Sequence, residues 1–132
     1  MQLEITQRER EGITILDMKG RLIAGQPVSA LREALGALAP EVKLVLNLIE
    51  VDYIDSTGLG ALVYCYTNLT KTGGTARLLN LNRRNLELLV LTKIDTIFEV
   101  FNDETDAVNS FFPGRAVKKF DILSFVRHMK DQ

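Results

Sequence analysis

An α/β fold on a mixed, mostly parallel sheet, with an antiparallel pair of strands at its start and about four helices, is what this chain predicts. Three observations lead there. Strand-like and helix-like segments alternate along most of the 132 residues, at the spacing of strand–helix–strand units. Residues 42–51, "VKLVLNLIEV", are apolar with little alternation, which suits a strand covered on both faces. Ahead of the first helix, two strand-like segments are joined only by a short turn at Gly12, the mark of a hairpin.

Taken in order, residues 3–11, "LEITQRERE", are short and mostly polar and predict an edge strand. Residues 13–22, "ITILDMKGRL", bring Ile13 and Ile15, a break at Asp17, and Leu22 after Gly20, and pair with the first segment. Residues 25–40 open with Pro27 in a first helical turn and close at Pro40. Leu31, Leu35 and Leu38 recur there at helical spacing, joined by Val28 and Ala34, so one amphipathic helix is expected. The apolar strand 42–51 runs on toward Asp55. Beyond it Leu59, Leu62, Val63, Tyr66 and Leu69 step by three and four, a helix ending near "KTGG". "TARLLNL", 75–81, reads as a strand. "RRNLELLVLTKI", 83–94, carries Leu86, Leu89, Val90 and Ile94 on one helical stripe, with Asn82 or Asn85 near its start. "TIFEVF", 96–101, is a short β-branched and aromatic strand. "NDETDAVNSFF", 102–112, starts with an Asn-Asp cap candidate and acids in its first turn, which favour the helix dipole. Pro113-Gly114 then breaks the chain.

Length and composition suit one compact domain. At 132 residues, folding removes roughly 65–70% of the unfolded chain's surface from water, enough for a core without staples. Apolar residues make up 46% and charged ones 25%, as in soluble globular proteins. No apolar run approaches the length of a spanning helix, and "MQLEITQRER" lacks the form of a secretory signal. One cysteine, Cys65, forms no internal disulfide, and one histidine, His128, leaves metal sites short of ligands. A reducing cytoplasm is the expected setting, with no cofactor and no stable membrane insertion. Net charge is −1, which gives no electrostatic case for nucleic acid. Charge is unevenly spread, however. Residues 1–114 hold 11 Lys+Arg against 15 Asp+Glu, whereas residues 115–132 hold 5 against 2.

The stretch "VDYIDSTGLG", 51–60, places an acid, two hydroxyls and two glycines between a strand and a helix. It is not a phosphate loop, because it has neither GxxxxGK[ST] nor GxGxxG. Gly58 and Gly60 are read as letting the helix start close to neighbouring backbone. Asp52 and Asp55 stand three apart, the wrong spacing for the aspartates of a haloacid-dehalogenase-type phosphatase. No histidine completes an acid–base site. The acidic pair and late Lys-Pro of a response-regulator receiver are missing as well. Cys65 has no histidine beside it in sequence to activate it and reads as a small core residue. No catalytic set emerges, and the chain is expected not to be an enzyme. The hydroxyl at 56 reads either as a helix cap or as an exposed group beside an Asp55 cap, and the two readings are compatible.

The stretch "VKLVLNLIEVDYIDSTGLGALV" resembles the central strand–loop–helix of the STAS domain, the family of anti-sigma factor antagonists and sulfate transporter tails. Asp55-Ser56-Thr57-Gly58-Leu59-Gly60 matches the family signature, Asp-Ser-(Ser/Thr/Ala)-Gly-Leu-Gly, position for position. The likeness takes in "ITILDMKGRL", residues 73–108 and the order of elements, over about residues 2–112. The resemblance implies a STAS fold for residues 1–112 and a phosphorylation-controlled protein–protein switch. In that family the serine after the aspartate is the phosphoacceptor of an anti-sigma factor that is also a serine kinase. Ser56 holds that position, and Thr57 is the second candidate. Unphosphorylated antagonist holds the anti-sigma factor, the phosphorylated form releases it, and a PP2C-type phosphatase resets the switch. Other relatives imply alternatives, a module for nucleotides or lipids, or an adaptor in a larger scaffold. One departure bears on the partner. Many phosphorylated members carry Glu-Leu-Asp after the second strand's glycine, whereas this chain has "GRLIAGQP". A partner-facing loop with Arg21, Ile23 and Gln26 therefore lacks two acids.

Residues 113–132 have no counterpart in the minimal domain. Ile122, Phe125, Val126 and Met129 fall at helical spacing among Lys118, Lys119, Arg127 and Lys130. A basic amphipathic helix is expected, either packed on the domain or serving partner docking or self-association.

Overall fold

The computed structural model describes residues 2–118, 120 and 121. The elements are β1 (Glu4–Arg10), β2 (Ile13–Leu22), α1 (Gln26–Gly36), β3 (Lys43–Ile54), α2 (Ser56–Lys71), β4 (Thr75–Leu79), α3 (Arg83–Leu91), β5 (Val100–Phe101) and α4 (Glu104–Asn109). A single 3-10 turn, Ile94–Thr96, precedes β5. The five strands lie in chain order across the sheet. β1 runs antiparallel to β2, with Arg10 opposite Ile13, and β2 to β5 are parallel.

Alternation along the strands sorts the core into two layers. Leu16 and Met18 of β2 and Leu44, Leu46 and Leu48 of β3 face a large cluster with Leu31 of α1, Leu62 and Cys65 of α2, and Leu86 and Leu89 of α3. Ile13, Ile15, Val45, Leu79 and Phe101 point the other way and are covered by Ala107 and Val108 of α4. The unbroken apolar run at the start of β3 follows from this, since both faces there are buried. Three helices on one face and one on the other match the α/β architecture expected.

β3 slips twice against β2. Asp17 pairs with Asn47 but Lys19 with Glu50, and Gly20 pairs with Val51 but Arg21 with Tyr53. Each slip gives β3 one more residue than its partner, which rephases its side chains. Val51 and Ile54 thereby return to the helix-side core, while Ile49 and Tyr53 are left 61% and 42% exposed. β4 pairs with β3 only from Lys43 to Asn47. Past that point side-chain amides take the place of a strand. Asn85 Nδ2 donates to the Val51 carbonyl at 3.0 Å and Asn82 Nδ2 to that of Asp52 at 3.0 Å. Asn85 is fully buried, and its bond to Val51 keeps the cost of burial low.

Several elements are shorter than their sequence patterns. α1 stops at Gly36, with Ala37 as its C-cap, well before Pro40. α3 stops at Leu91 because Lys93 turns left-handed at φ 61°, and Ile94 starts the 3-10 turn instead. That turn takes residues 94–96, so β5 keeps only Val100–Phe101 of the strand expected over 96–101. α4 begins after Asp103, whose carboxylate accepts from the Asp106 N–H at 3.0 Å.

Past α4, Phe111, Phe112 and Val117 pack on the α4-side core and Phe120 on the helix-side core. Arg115 pairs with Glu11 at 3.1 Å. The amphipathic pattern expected from Ile122 to Lys130 lies outside the described residues. Among the described residues no helix is long and apolar enough to cross a membrane.

Candidate functional site

The end of β3 and the start of α2 are joined by one residue, Asp55, in extended backbone. Its carboxylate does two jobs. Oδ1 accepts from the Gly58 N–H at 2.7 Å, capping α2, and Oδ2 accepts from the Ala24 N–H at 3.1 Å, fixing the loop between β2 and α1. The Asp55 N–H in turn donates to the Leu22 carbonyl at 3.2 Å. Asp55 is therefore the cap, and Ser56 is the first helical residue. Ser56 and Thr57 are both exposed. With the cap supplied by the acid, the Ser56 hydroxyl has no hydrogen-bond partner among the described residues.

The two glycines differ. A Cβ at Gly58 would stand 2.1 Å from the Leu22 carbonyl oxygen, so only glycine lets α2 come this close to the end of β2. At Gly60 a Cβ would meet nothing within 4 Å, which corrects the expectation that both glycines serve backbone approach. Gly60 is exposed one turn above Ser56, on the same side of the helix. Between them Leu59 is buried and anchors the turn in the core.

The loop expected to face a partner does lie at this end of the sheet. Arg21 is exposed and pairs in register with Tyr53, and Ile23 is half-buried. Gln26 is exposed, but its Oε1 accepts from the Leu3 N–H at 2.9 Å, so part of its role is to tie α1 to β1.

Sequence reasoning missed the opposite wall. Arg84, second residue of α3, donates from Nη1 to the Ile54 carbonyl at 3.1 Å and to Asn85 Oδ1 at 3.0 Å. Its guanidinium lies over the Tyr53 ring, 3.7 Å from the centroid. Tyr53 and Arg84 are 31 positions apart, and nothing local in either segment signals that they meet.

The acid and the thiol nearest this end are each tied down. The Asp55 carboxylate is occupied by two backbone N–H groups, so it is not placed as a base for Ser56. Cys65 lies on the buried face of α2, where burial pushes its thiol up to about 12, far from a reactive thiolate.

Residues 4–107 match the model of the STAS domain. Over 102 residues the chain is 31% identical to the anti-sigma-B factor antagonist of Bacillus subtilis (strain 168), covering 76% of this chain and 92% of that protein. In fold it is similar to an anti-sigma factor antagonist from Mycobacterium paratuberculosis, with a TM-score of 0.69 at 21% identity over 82% of this chain and 92% of the other. It is also similar to the Bacillus cell fate determinant SpoIIAA in the phosphorylated form, with a TM-score of 0.61 at 16% identity over 82% and 99%. The family match spans both walls of the site and the Asp55–Gly60 turn between them, and the chain belongs to the STAS domain family.

Proposed function

We propose that this protein is an anti-sigma factor antagonist working as a phosphorylation-controlled switch. With Ser56 free it binds an anti-sigma factor that is also a serine kinase. With Ser56 phosphorylated it lets go, and a PP2C-type phosphatase resets it, so that transcription follows the state of one hydroxyl. One observation carries the reading. Ser56 is exposed at the first position of α2, while Asp55 supplies the cap. A phosphoryl group can therefore come and go at Ser56 without disturbing the bonds that hold the turn.

The electrostatics point the same way. A phosphoryl group adds about −1.5 to −2 charges beside Asp55. Left uncompensated where a partner closes over the turn, that charge costs several kcal/mol, on the order of a hundredfold in affinity. Thr57 and Gly60 with Arg21, Ile23 and Gln26 would form the partner-facing surface, on a turn that the buried Gly58 and Leu59 hold in place, and the bare Gly60 lets a partner approach closely above Ser56. A small-molecule module is less well supported. β2 to β5 follow chain order with α1, α2 and α3 on one face, so strand order never reverses to open the crevice where α/β sheets hold nucleotides. Residues 113–132 are proposed as an extension that packs on the domain, with partner docking or self-association as its alternative role, and the packing of Val117 and Phe120 on the core supports the first.

The test pairs the protein with its cognate kinase and ATP and reads intact mass. A gain of one phosphoryl group on wild type and none on Ser56→Ala is expected. No gain on wild type, or an equal gain on Ser56→Ala, refutes the acceptor assignment.

A further inference from the structure

The wall formed by α3 holds a cation whose local bonds leave part of it unused. Arg84 is exposed, and two bonds from Nη1 and the stack on Tyr53 hold its guanidinium in place. A guanidinium has five N–H donors, and those on Nε and Nη2 of Arg84 have no acceptor among the described residues. Nor does any carboxylate among them pair with this charge. Neighbouring Arg83, by contrast, reaches Glu87 at 3.5 Å. An arginine anchored in this way presents the free edge of its fork with little further loss of side-chain freedom.

That edge lies close to the switch. The Ile54 carbonyl that Arg84 holds is only two residues ahead of Ser56. Helical geometry also separates the two hydroxyls. At about 100° per residue, Tyr66, which packs edge-on against Phe98 beyond α3, lies roughly 80° around α2 from Ser56. Thr57 is turned the other way, on the side where Arg32 of α1 reaches Tyr64. Of the two hydroxyls, Ser56 is the one nearer the α3 wall.

We infer that Arg84 is the receptor for the phosphoryl group on Ser56, its fork closing on the phosphate while Tyr53 and the Ile54 carbonyl keep the guanidinium in place. The inference rests on Ser56 as acceptor and adds what the modified side chain binds. Phosphate oxygens are strong acceptors that arginine meets with paired, charge-assisted hydrogen bonds. Other charges at this end are Asp52 and Asp55, which oppose a phosphate, and Arg21 and Arg83, which favour it less directly. The clamp leaves the modified turn ordered but strongly negative. It also engages a cation that the unmodified surface offers to a partner. Phosphorylation then alters two features of the interface at once.

Phosphoserine installed at position 56 during translation tests this without any kinase, so a failure of the clamp and a failure of the kinase reaction above are seen separately. In the full-length protein, 31P NMR should show the second phosphate ionisation roughly half a pH unit or more lower in wild type than in Arg84→Gln. Arg83→Gln should titrate like wild type. Equal titration of wild type and Arg84→Gln overturns the inference, and so does an equal shift from Arg83→Gln, which would assign the effect to the general field of α3. Should Arg84→Gln fail to fold, the Arg84 Nε–H resonance of the wild-type chain gives a second reading. It should shift and exchange more slowly when residue 56 is phosphoserine, and an unchanged resonance overturns the inference.

Discussion

Two polar clusters flank the sheet, and they are built on opposite rules. On the α4 side, Arg8 of β1 bonds Asp17 of β2 at 2.6 Å and also Glu104 of α4. Arg10 reaches Glu104 at 2.9 Å, and Asn47 donates to Asp17 at 2.8 Å. Every charge there meets an opposite charge, and the result fastens α4 to the edge of the sheet. Among the described residues, the carboxylate at the Asp55 end meets only backbone N–H groups, and Arg84 meets only a carbonyl, an amide and a ring. The first cluster is closed on itself. The second leaves a hydroxyl and the edge of a guanidinium exposed.

The largest effect expected lies beneath the open cluster. Gly58→Ala drives a Cβ against the Leu22 carbonyl and should cost about 3 kcal/mol of unfolding free energy in denaturant titration. A cost within a few tenths of a kcal/mol would show that α2 does not approach β2 this closely. Asp55→Ala comes next, at about 1–2 kcal/mol, through loss of the cap and of the tie to Ala24. Asp55→Asn should recover most of the cap.

Acid acts on the closed cluster through its two carboxylates. The hydrogen bond from Arg8 is the main cause holding the carboxyls of both Asp17 and Glu104 below their ordinary values. A depressed folded-state value means that the stabilisation is present above the ordinary carboxylate range and is lost as pH falls through the lowered values. Stability should therefore fall as pH drops below about 4, the fall being shallower in Glu104→Gln. Both carboxylates are partly solvated, so the loss is modest, and an unchanged slope in the variant would contradict it.

Gly60→Ala carries the smallest expected change in stability, and in the opposite direction. With open space at this position, alanine should stabilise the helix by about 0.5–1 kcal/mol. The same substitution adds a methyl group above Ser56 and should weaken partner binding. A stabilised protein with unchanged affinity would remove Gly60 from the interface.

How much of this was legible in the sequence differs between the clusters as well. The run from Leu44 to Leu46 announces a strand buried on both faces, and the Asp55–Gly60 turn is visible because its residues are contiguous. The division of labour between Asp55 and Ser56 is not written in the sequence, since either side chain can cap a helix. The two glycines look alike in sequence, and only the nearness of Leu22, 36 positions earlier, tells them apart. Tyr53 with Arg84, and Arg8 with Glu104, are meetings set by tertiary packing across long stretches of chain. The early end of α3 was hidden for a different reason. Its apolar stripe continues to Ile94, but the left-handed Lys93 interrupts the helix without interrupting the pattern.

The central claim is that the state of the Ser56 hydroxyl sets affinity for a partner while the fold stays as it is. It is tested most directly by measuring binding of the cognate anti-sigma factor to the unmodified protein and to the protein carrying phosphoserine at 56, with thermal unfolding of both recorded alongside. Tight binding of the unmodified form and a loss of about a hundredfold or more on phosphorylation are expected, with little change in melting temperature. Equal affinity of the two forms, or a loss of binding that simply follows unfolding of the modified protein, would contradict it.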